Sequence, residues 1–358
     1  MVARPRLLSL YLARAVLVGV GLTSLLLVGI YTLIEFIREA RSLSGDYGGV
    51  EMLRYLAQTT PRRLYDIFPF AALIGTLLGL GSLASGNELV AMRAAGFDRR
   101  HLAVRVLLAV TVCLAAMLAL SEWVIPDLET QARAERQQAR TGQLHVGELG
   151  QFWLRDGTHV LRLGQSIWLD EARLDFTDVL VYQLGQDMRP QAILQAAQAR
   201  HMGDAWRLTD VRWRRLADDA RGTQAERVLE SALSPELFLT AVNRPRLLAM
   251  TDLQQMRAYL QQSGLDSGPY DQALWTRLFF PINVLAMVLV GLPFVFQGAR
   301  GGLRGVGLFA GVALGLVFFV LSRLSQSLGM ILPLPLWFSS LIPALMIIAL
   351  SLVLLRRL

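Results

Sequence analysis

The stretch "ETQARAERQQARTG" (Glu129–Gly142) spaces Arg133, Arg136 and Arg140 at i, i+3 and i+7, which puts three guanidinium groups on one helical face. A guanidinium is a planar fork of donors that stays charged and grips carboxylates or phosphates through two parallel bonds. Glu129 and Glu135 lie in the same stretch, so composition by itself favours an ordinary solvated face that neutralises its own charge. Arg38 and Arg41 form a second basic set in "LIEFIREARSLSG". A third feature is a carboxylate in basic surroundings: in "SGNELVAMRAAGFDRR" (Ser85–Arg100), Glu88 and Asp98 stand among Arg93, Arg99 and Arg100.

Other chemistry is excluded by what the chain lacks. All 35 basic residues are Arg. A Walker A loop needs a Lys on the nucleotide phosphates, and a Schiff-base enzyme needs an amine, so the chain is expected to be neither. "LASG" (Leu83–Gly86) has a serine-protease flavour, but His101, His145, His159 and His201 all fall outside the apolar runs. No catalytic or metal-binding set is assigned and no cofactor is expected. The single cysteine, Cys113, sits inside an apolar run, so no disulfide is expected.

The elements that must position these charges are mostly membrane-grade helices. The chain has 358 residues, 54 % of them hydrophobic, and a mean hydropathy of +0.43. Six stretches approach the length needed to cross a hydrocarbon core of about 30 Å. They are Ala15–Ile34, Ile67–Ala84, Val106–Ser121, Leu278–Phe296, Gly305–Ser322 and Pro335–Leu355. Ala15–Ile34 is too long for the apolar core of a cleaved leader, and no small-residue cleavage site follows it, so it is expected to remain as a span. The pI of about 10.1 could suggest nucleic acid, but the charges are placed as in a membrane protein. Arginine dominates before the first run, after the second, after the fourth and at the carboxyl end. The alternate connections are balanced or acidic, with five Arg and five acids over 35–66 and 17 Arg against 21 acids over 122–271. The positive-inside bias therefore puts both termini in the cytoplasm and the long segment after the third run outside.

Between the second and third spans, Ser85-x-x-Glu88 reads as a capping box, with a short helix over about Glu88–Ala95, a stop at Gly96, and Asp98 capping span three. A helix of that length is marginal unless it lies against something. Two readings stay open on the residues: a tight turn whose Glu merely caps, or a surface helix that plugs into a cytoplasmic partner. Small residues at four-residue spacing, Gly75 and Gly79 in span two and Gly307, Gly311 and Gly315 in span five, mark faces where another helix can approach closely.

The outside segment changes period. "FWLRDGTHVLRL" (Phe152–Leu163) alternates about Asp156-Gly157, a strong hairpin signal. "LDFTDVLVYQL" (Leu174–Leu184) and "WRLTDVRWRRL" (Trp206–Leu216) are further strands. Thr251–Ser263 returns to a helix in which Thr251 caps, Leu253, Met256 and Leu260 share a face, and Gly264 stops it. The fold expected is a polytopic α-helical membrane protein of six spans, with an all-β, jellyroll-like domain inserted between spans three and four. Its parts are 1–135 with the short helix at 86–97, 136–250 for the β-domain, and 251–358.

"FPFAALIGTLLGLGSLASGNELVAMRAAGF" followed by "EWVIP" resembles the second span, coupling helix and third span of the LptF/LptG family of lipopolysaccharide export permeases. "LFFPINVLAMVLVGLPFVF" and the closing "RR" resemble its LptG branch rather than its LptF branch. The resemblance covers the whole chain. It implies a permease subunit of an ABC-type exporter in the bacterial inner membrane, paired with an LptF-like permease. It also implies an LptB-like ATPase dimer, which uses the ATP, and an LptC-like single-span protein. The substrate implied is lipopolysaccharide, taken from the outer leaflet and passed by the periplasmic β-domain toward a bridge. On this resemblance Glu88, with Leu89, Met92 and Arg93, seats on the ATPase, and Gly307, Gly311 and Gly315 face a partner helix. Arg38, Arg41, Arg133, Arg136 and Arg140 meet lipid A phosphates. Glu35, where relatives often carry Lys, and Arg323 depart from the family pattern, and a Glu122–Arg323 or Glu35–Arg323 pair is expected because intramembrane charges seldom stand alone. The rival classes are weaker. A secondary transporter would show polar span midplanes, and a mere anchor for the β-domain would not need six spans.

Overall fold

The computed structural model describes residues 5–43, 47–94, 96, 98–141, 152–156, 158–164, 166–170, 173–185, 189–202, 205–230, 245–262, 266–298, 304–332 and 335–357. In chain order these form α1 (Pro5–Ala40), α2 (Gly49–Gln58), α3 (Thr60–Ser85), α4 (Glu88–Ala94), α5 (Arg99–Trp123) and α6 (Ile125–Thr141). Seven strands follow: β1 (Phe152–Asp156), β2 (His159–Leu163), β3 (Ser166–Asp170), β4 (Arg173–Leu184), β5 (Pro190–His201), β6 (Ala205–Arg215) and β7 (Arg221–Glu230). Then come α7 (Met250–Gln262), α8 (Gly268–Leu278), α9 (Phe280–Gly298), α10 (Arg304–Ile331) and α11 (Leu336–Arg357).

Among the described residues, five helices are long and apolar enough to cross a membrane: α1, α3, α5, α10 and α11. A sixth span exists if α8 and α9 are counted together, and these meet at a bend of 48°. The break falls at the start of the fourth apolar run. Pro281 has no N–H to continue the ladder, so the helix is interrupted at Phe279.

The chain divides into two units, Met1–Arg38 with Thr59–Ile125 and Asp271–Leu358, and Glu39–Gln58 with Pro126–Tyr270. The helical unit is packed where glycines remove side chains. A Cβ on Gly79 would lie 2.5 Å from the Ala15 carbonyl oxygen, and one on Gly75 would collide with the Val20 backbone, so α1 and α3 touch backbone to backbone. The Gly75-x-x-x-Gly79 pair is thus a true crossing point.

Gly311 and Gly315 also form a packing face, but its occupant is this chain. Leu77 and Leu73 of α3 project into the space, and a Cβ on Gly311 would meet Leu77 Cδ1 at 3.0 Å. The expectation of a partner helix at these two positions is corrected: α3 fills them. The side of Gly307 lies outside the described residues. Gly315→Leu should therefore disturb this chain's own core, because overpacking costs roughly 1–3 kcal/mol or more. The expected result is a lowered melting midpoint of the isolated chain; an unchanged midpoint with loss of subunit pairing would return this face to a partner.

In the second unit the strands form one antiparallel sheet in the order β1-β2-β4-β5-β6-β7, with β3 pairing β4 beyond β2. β2 and β3 run along the same edge of β4 as two halves of one strand, broken beside Gly164. The hairpin around Asp156-Gly157 and the strands at 173–184 and 205–215 are as expected. The near-sequential order is a meander; the crossing connections of a jellyroll are not among the described residues.

A row of irregularities crosses the sheet. Asp178 and Asp210 have φ of 52° and 51°, and between them on β5 Ala197 drops out of the ladder on both sides. A residue that leaves the extended conformation turns the pleat over, so the side chains beyond it change face without a shift of register. The buried set changes parity at this row, from Phe176 to Val179, from Ala196 to Ala199 and from Leu208 to Val211. Because the irregularities are aligned, both halves of each strand face one core, which Leu161, Leu163, Leu194, Trp206 and Leu229 complete. Aspartate suits positions 178 and 210 because its short polar side chain tolerates the left-handed region.

The unit boundaries fall at 125/126 and 270/271. α6 belongs with α2, since Ala139 packs against Tyr47, Met52 and Leu56. α7 belongs with the sheet, since Tyr259 packs on its core and donates a hydrogen bond to the Arg155 carbonyl. Leu253 and Met256 are buried as expected. Thr251 is not the cap: the helix starts at Met250 and the Thr251 hydroxyl points to Asp252 Oδ1 at 3.4 Å. Gly264 lies outside the described residues.

Candidate functional sites

α4 follows α3 after two residues. α3 continues through Ser85, whose hydroxyl donates to the Ser82 carbonyl at 2.7 Å. A residue inside one helix cannot be the non-helical cap of the next, so the expected capping box does not form. The turn is made by Asn87, at φ 57°, whose carbonyl accepts from the Val90 and Ala91 N–H groups at 3.1 and 3.0 Å. Gly96, at φ 92°, stops the segment as expected, and the Asp98 carbonyl accepts from Leu102 N–H at 3.1 Å as α5 begins.

Leu89 and Met92 are buried, 2 % and 4 % exposed, in the same apolar core as Leu83, Leu102 and Leu12. They fasten α4 to its own spans and are not presented to a partner. The outward face carries Val90, Ala91 and Ala94, with Glu88 half-buried at its margin. The Tyr11 hydroxyl of α1 lies near the Glu88 carboxylate. This contact fits the packing of α1 on α3: Ala15 lies at Gly79, and one turn further along α1 brings Tyr11 toward the α3–α4 turn. The Arg93 side chain lies outside the described residues.

The arginines divide into two groups. Arg136 is held by Glu39, its Nε donating to Oε1 and its Nη2 to Oε2 at 3.2 Å. Glu39 is 3 % exposed and also accepts from the Tyr47 hydroxyl at 3.0 Å and the Ser42 hydroxyl at 3.2 Å. Arg133 Nε donates to Glu129 Oε2 at 2.9 Å, and Glu129 is also 3 % exposed. Burial works against the charge on Arg136, but the Glu39 bonds outweigh it and hold the guanidinium's pKa above its ordinary value. Burial and the neighbouring Glu39 likewise push the Tyr47 phenol up. The Arg136 guanidinium also lies 5.2 Å from the Tyr55 ring centroid. This is the self-neutralising face that Glu129 foretold, except that the carboxylate on Arg136 comes from the end of α1.

Arg41 and Arg140 are exposed. Arg38 is 69 % exposed and pairs with Glu35, one helical turn away, at 3.1 Å. Glu122 pairs with Arg277 at 3.2 Å, and Arg277 also donates to the Ser121 carbonyl. Arg323 lies over the Phe319 ring, 5.2 Å from its centroid. Sequence reasoning missed Glu39, Tyr47, Tyr11 and Arg277. Only Glu39 left a trace, as an acid closing an apolar helix and so in need of a counter-charge. Among the described residues no group of three or more His, Cys, Asp or Glu could hold a metal ion.

Among the described residues, five or six candidate spans, a short helix fastened between two of them and an antiparallel sheet that follows the third in sequence give the layout of an integral membrane protein. Residues 10–357 match the family model of the lipopolysaccharide export system permease LptF/LptG, and the chain belongs to that family. It is similar to the lipopolysaccharide export system permease protein LptG of Escherichia coli K12, at 29 % identity over 356 residues and 98 % of each chain. It is also similar to the protein of that name from Haemophilus influenzae, at 28 % identity over 355 residues and 98 % of each chain.

Proposed function

We propose that this chain is the LptG-type subunit of an ABC-type exporter, extracting lipopolysaccharide from the outer leaflet of the inner membrane and passing it to a periplasmic bridge. The observation that carries this reading is the end-to-end likeness to chains named LptG. In this reading α8 and α9 are one bent span, giving six. Both termini are cytoplasmic, and the sheet belongs to a jellyroll-like periplasmic domain. An LptF-like permease, an LptB-like ATPase dimer and an LptC-like single-span protein complete the machine. ATP is used by the ATPase, and this chain contributes no nucleotide site and no cofactor.

The half-buried carboxylate of Glu88 and the small exposed face of Val90, Ala91 and Ala94 form the coupling surface; Arg93 extends it. Arg38, Arg41 and Arg140, being exposed, are the arginines that meet lipid A phosphates. Arg133 and Arg136 hold the frame from which they reach. The test is purification from native membranes by a tag on this chain. Two further membrane proteins and one ATPase should co-purify, and ATP hydrolysis should be absent from the isolated chain and present in the complex. A chain that purifies alone from intact membranes would contradict the assignment.

A further inference from the structure

Between α2 and α6 the second unit has an open cavity of about 430 Å³ whose walls include Glu51, Arg54, Gln58, Glu135, Arg136 and Gln138. Its size falls within the range of small-molecule sites, about 300–1,000 Å³. Its charge is balanced, two arginines against two glutamates, and the Arg136 fork is already satisfied by Glu39 behind it. Such walls give little net attraction to a phosphate. They are rich in groups that donate and groups that accept, which is what hydroxyls require.

Two further details point to a polar, uncharged occupant. Gln58 Oε1 is buried and, among the described residues, has no hydrogen-bond partner. A buried acceptor left unmade is costly, and a donor arriving in the cavity would satisfy it. The contacts across the mouth are long, with Gln58 Nε2 at 3.4 Å and Arg54 Nη1 at 3.8 Å from Glu135 Oε2. Arg54 and Glu135 are 67 % and 47 % exposed, so their ion pair contributes little and both can turn to a ligand.

We infer that this cavity is a carbohydrate subsite, taking a hydroxyl-rich sugar of the lipid substrate while the exposed arginines take its phosphates. The inference rests on the permease reading above. Glu135 and Glu51 accept from sugar hydroxyls, Gln138 and Arg54 donate to them, and Gln58 Oε1 receives the donor it lacks.

The test compares binding of core-bearing lipopolysaccharide and of lipid A alone to the full chain, reconstituted with its co-purifying subunits in lipid nanodiscs. Gln58→Leu, Glu135→Ala and, at an exposed position, Gln138→Ala should each weaken binding of the core-bearing lipid by about three- to tenfold, the loss expected for one hydrogen bond. Lipid A alone should bind as before. Equal losses for both lipids would place the cavity on the lipid A portion rather than on a core sugar, and no loss for either would leave it without a sugar; since the sugar meant is one of the core, both overturn the inference. Wild-type protein that binds neither lipid would overturn the permease reading itself, and this inference with it.

Discussion

Replacing Arg136 by Ala should destabilise the second unit rather than merely weaken lipid binding. Glu39 would be left 3 % exposed with only the Tyr47 and Ser42 hydroxyls as donors. Removing one partner of a buried ion pair costs about 3–5 kcal/mol, because the remaining charge stays uncompensated. The clearest readouts are thermal unfolding and limited proteolysis of the purified chain, where Arg136→Ala should melt earlier and be cut within 126–270. The double replacement Glu39→Gln with Arg136→Met should recover most of the loss, since it removes both charges at similar volume. Arg140→Ala, at an exposed position one turn on, should leave the midpoint unchanged. An Arg136→Ala protein with a normal midpoint and impaired lipid binding would make this guanidinium a substrate ligand instead of a clamp.

Reversing the charge at Glu88 should disconnect ATP hydrolysis from lipid movement. Truncating one member of a buried interfacial charge pair costs about 2–5 kcal/mol, mostly through faster dissociation. Glu88→Arg, which adds like-charge repulsion, should release the ATPase by at least about thirtyfold in affinity. Glu88→Gln keeps the shape but loses the charge, so it should lie between wild type and Glu88→Arg. Tyr11→Phe removes the hydroxyl beside Glu88 and, if that hydroxyl orients the carboxylate, should cost about three- to tenfold. If Tyr11 acts by orienting Glu88, Tyr11→Phe should have no added effect on top of Glu88→Gln. Independent, additive losses would mean that Tyr11 serves some other contact, and a silent Glu88→Arg would remove Glu88 from the coupling surface.

The parts of this molecule that were legible in the sequence are those set by local physics. Apolar runs marked five spans outright, and Gly75 and Gly79 marked a close approach that α1 makes. The alternation in β4 and β6 announced strands. β5 and β7 were not announced, because "PQAILQAAQARH" and "RGTQAERVLE" are rich in Ala, Gln and Glu, good helix formers that become strands only through pairing with β4 and β6. The parity switch at Ala197 also hid the periodicity of β5.

At the sites, local signals gave the elements but not their partners. Spacing put Arg133 and Arg136 on one face, yet nothing local says that Glu39, 97 positions earlier, closes on Arg136. Gly311 and Gly315 advertised a groove without saying whose leucines enter it. Ser85 looked like a cap because nothing in its immediate neighbours shows that α3 runs through it. Each miss is a long-range contact or a helix boundary, where tertiary packing decides and local preference does not.

The most direct test is ATP-driven transfer of lipopolysaccharide out of proteoliposomes that contain this chain with its three co-purifying subunits, measured by photocrosslinking the released lipid to a soluble periplasmic acceptor. Transfer should require ATP, should stop when this chain is omitted, and should fall sharply with Glu88→Arg while the lipid remains bound inside the vesicle membrane. Undiminished transfer without this chain, or with Glu88→Arg in its place, would contradict its role as the subunit that couples ATP hydrolysis to lipid export.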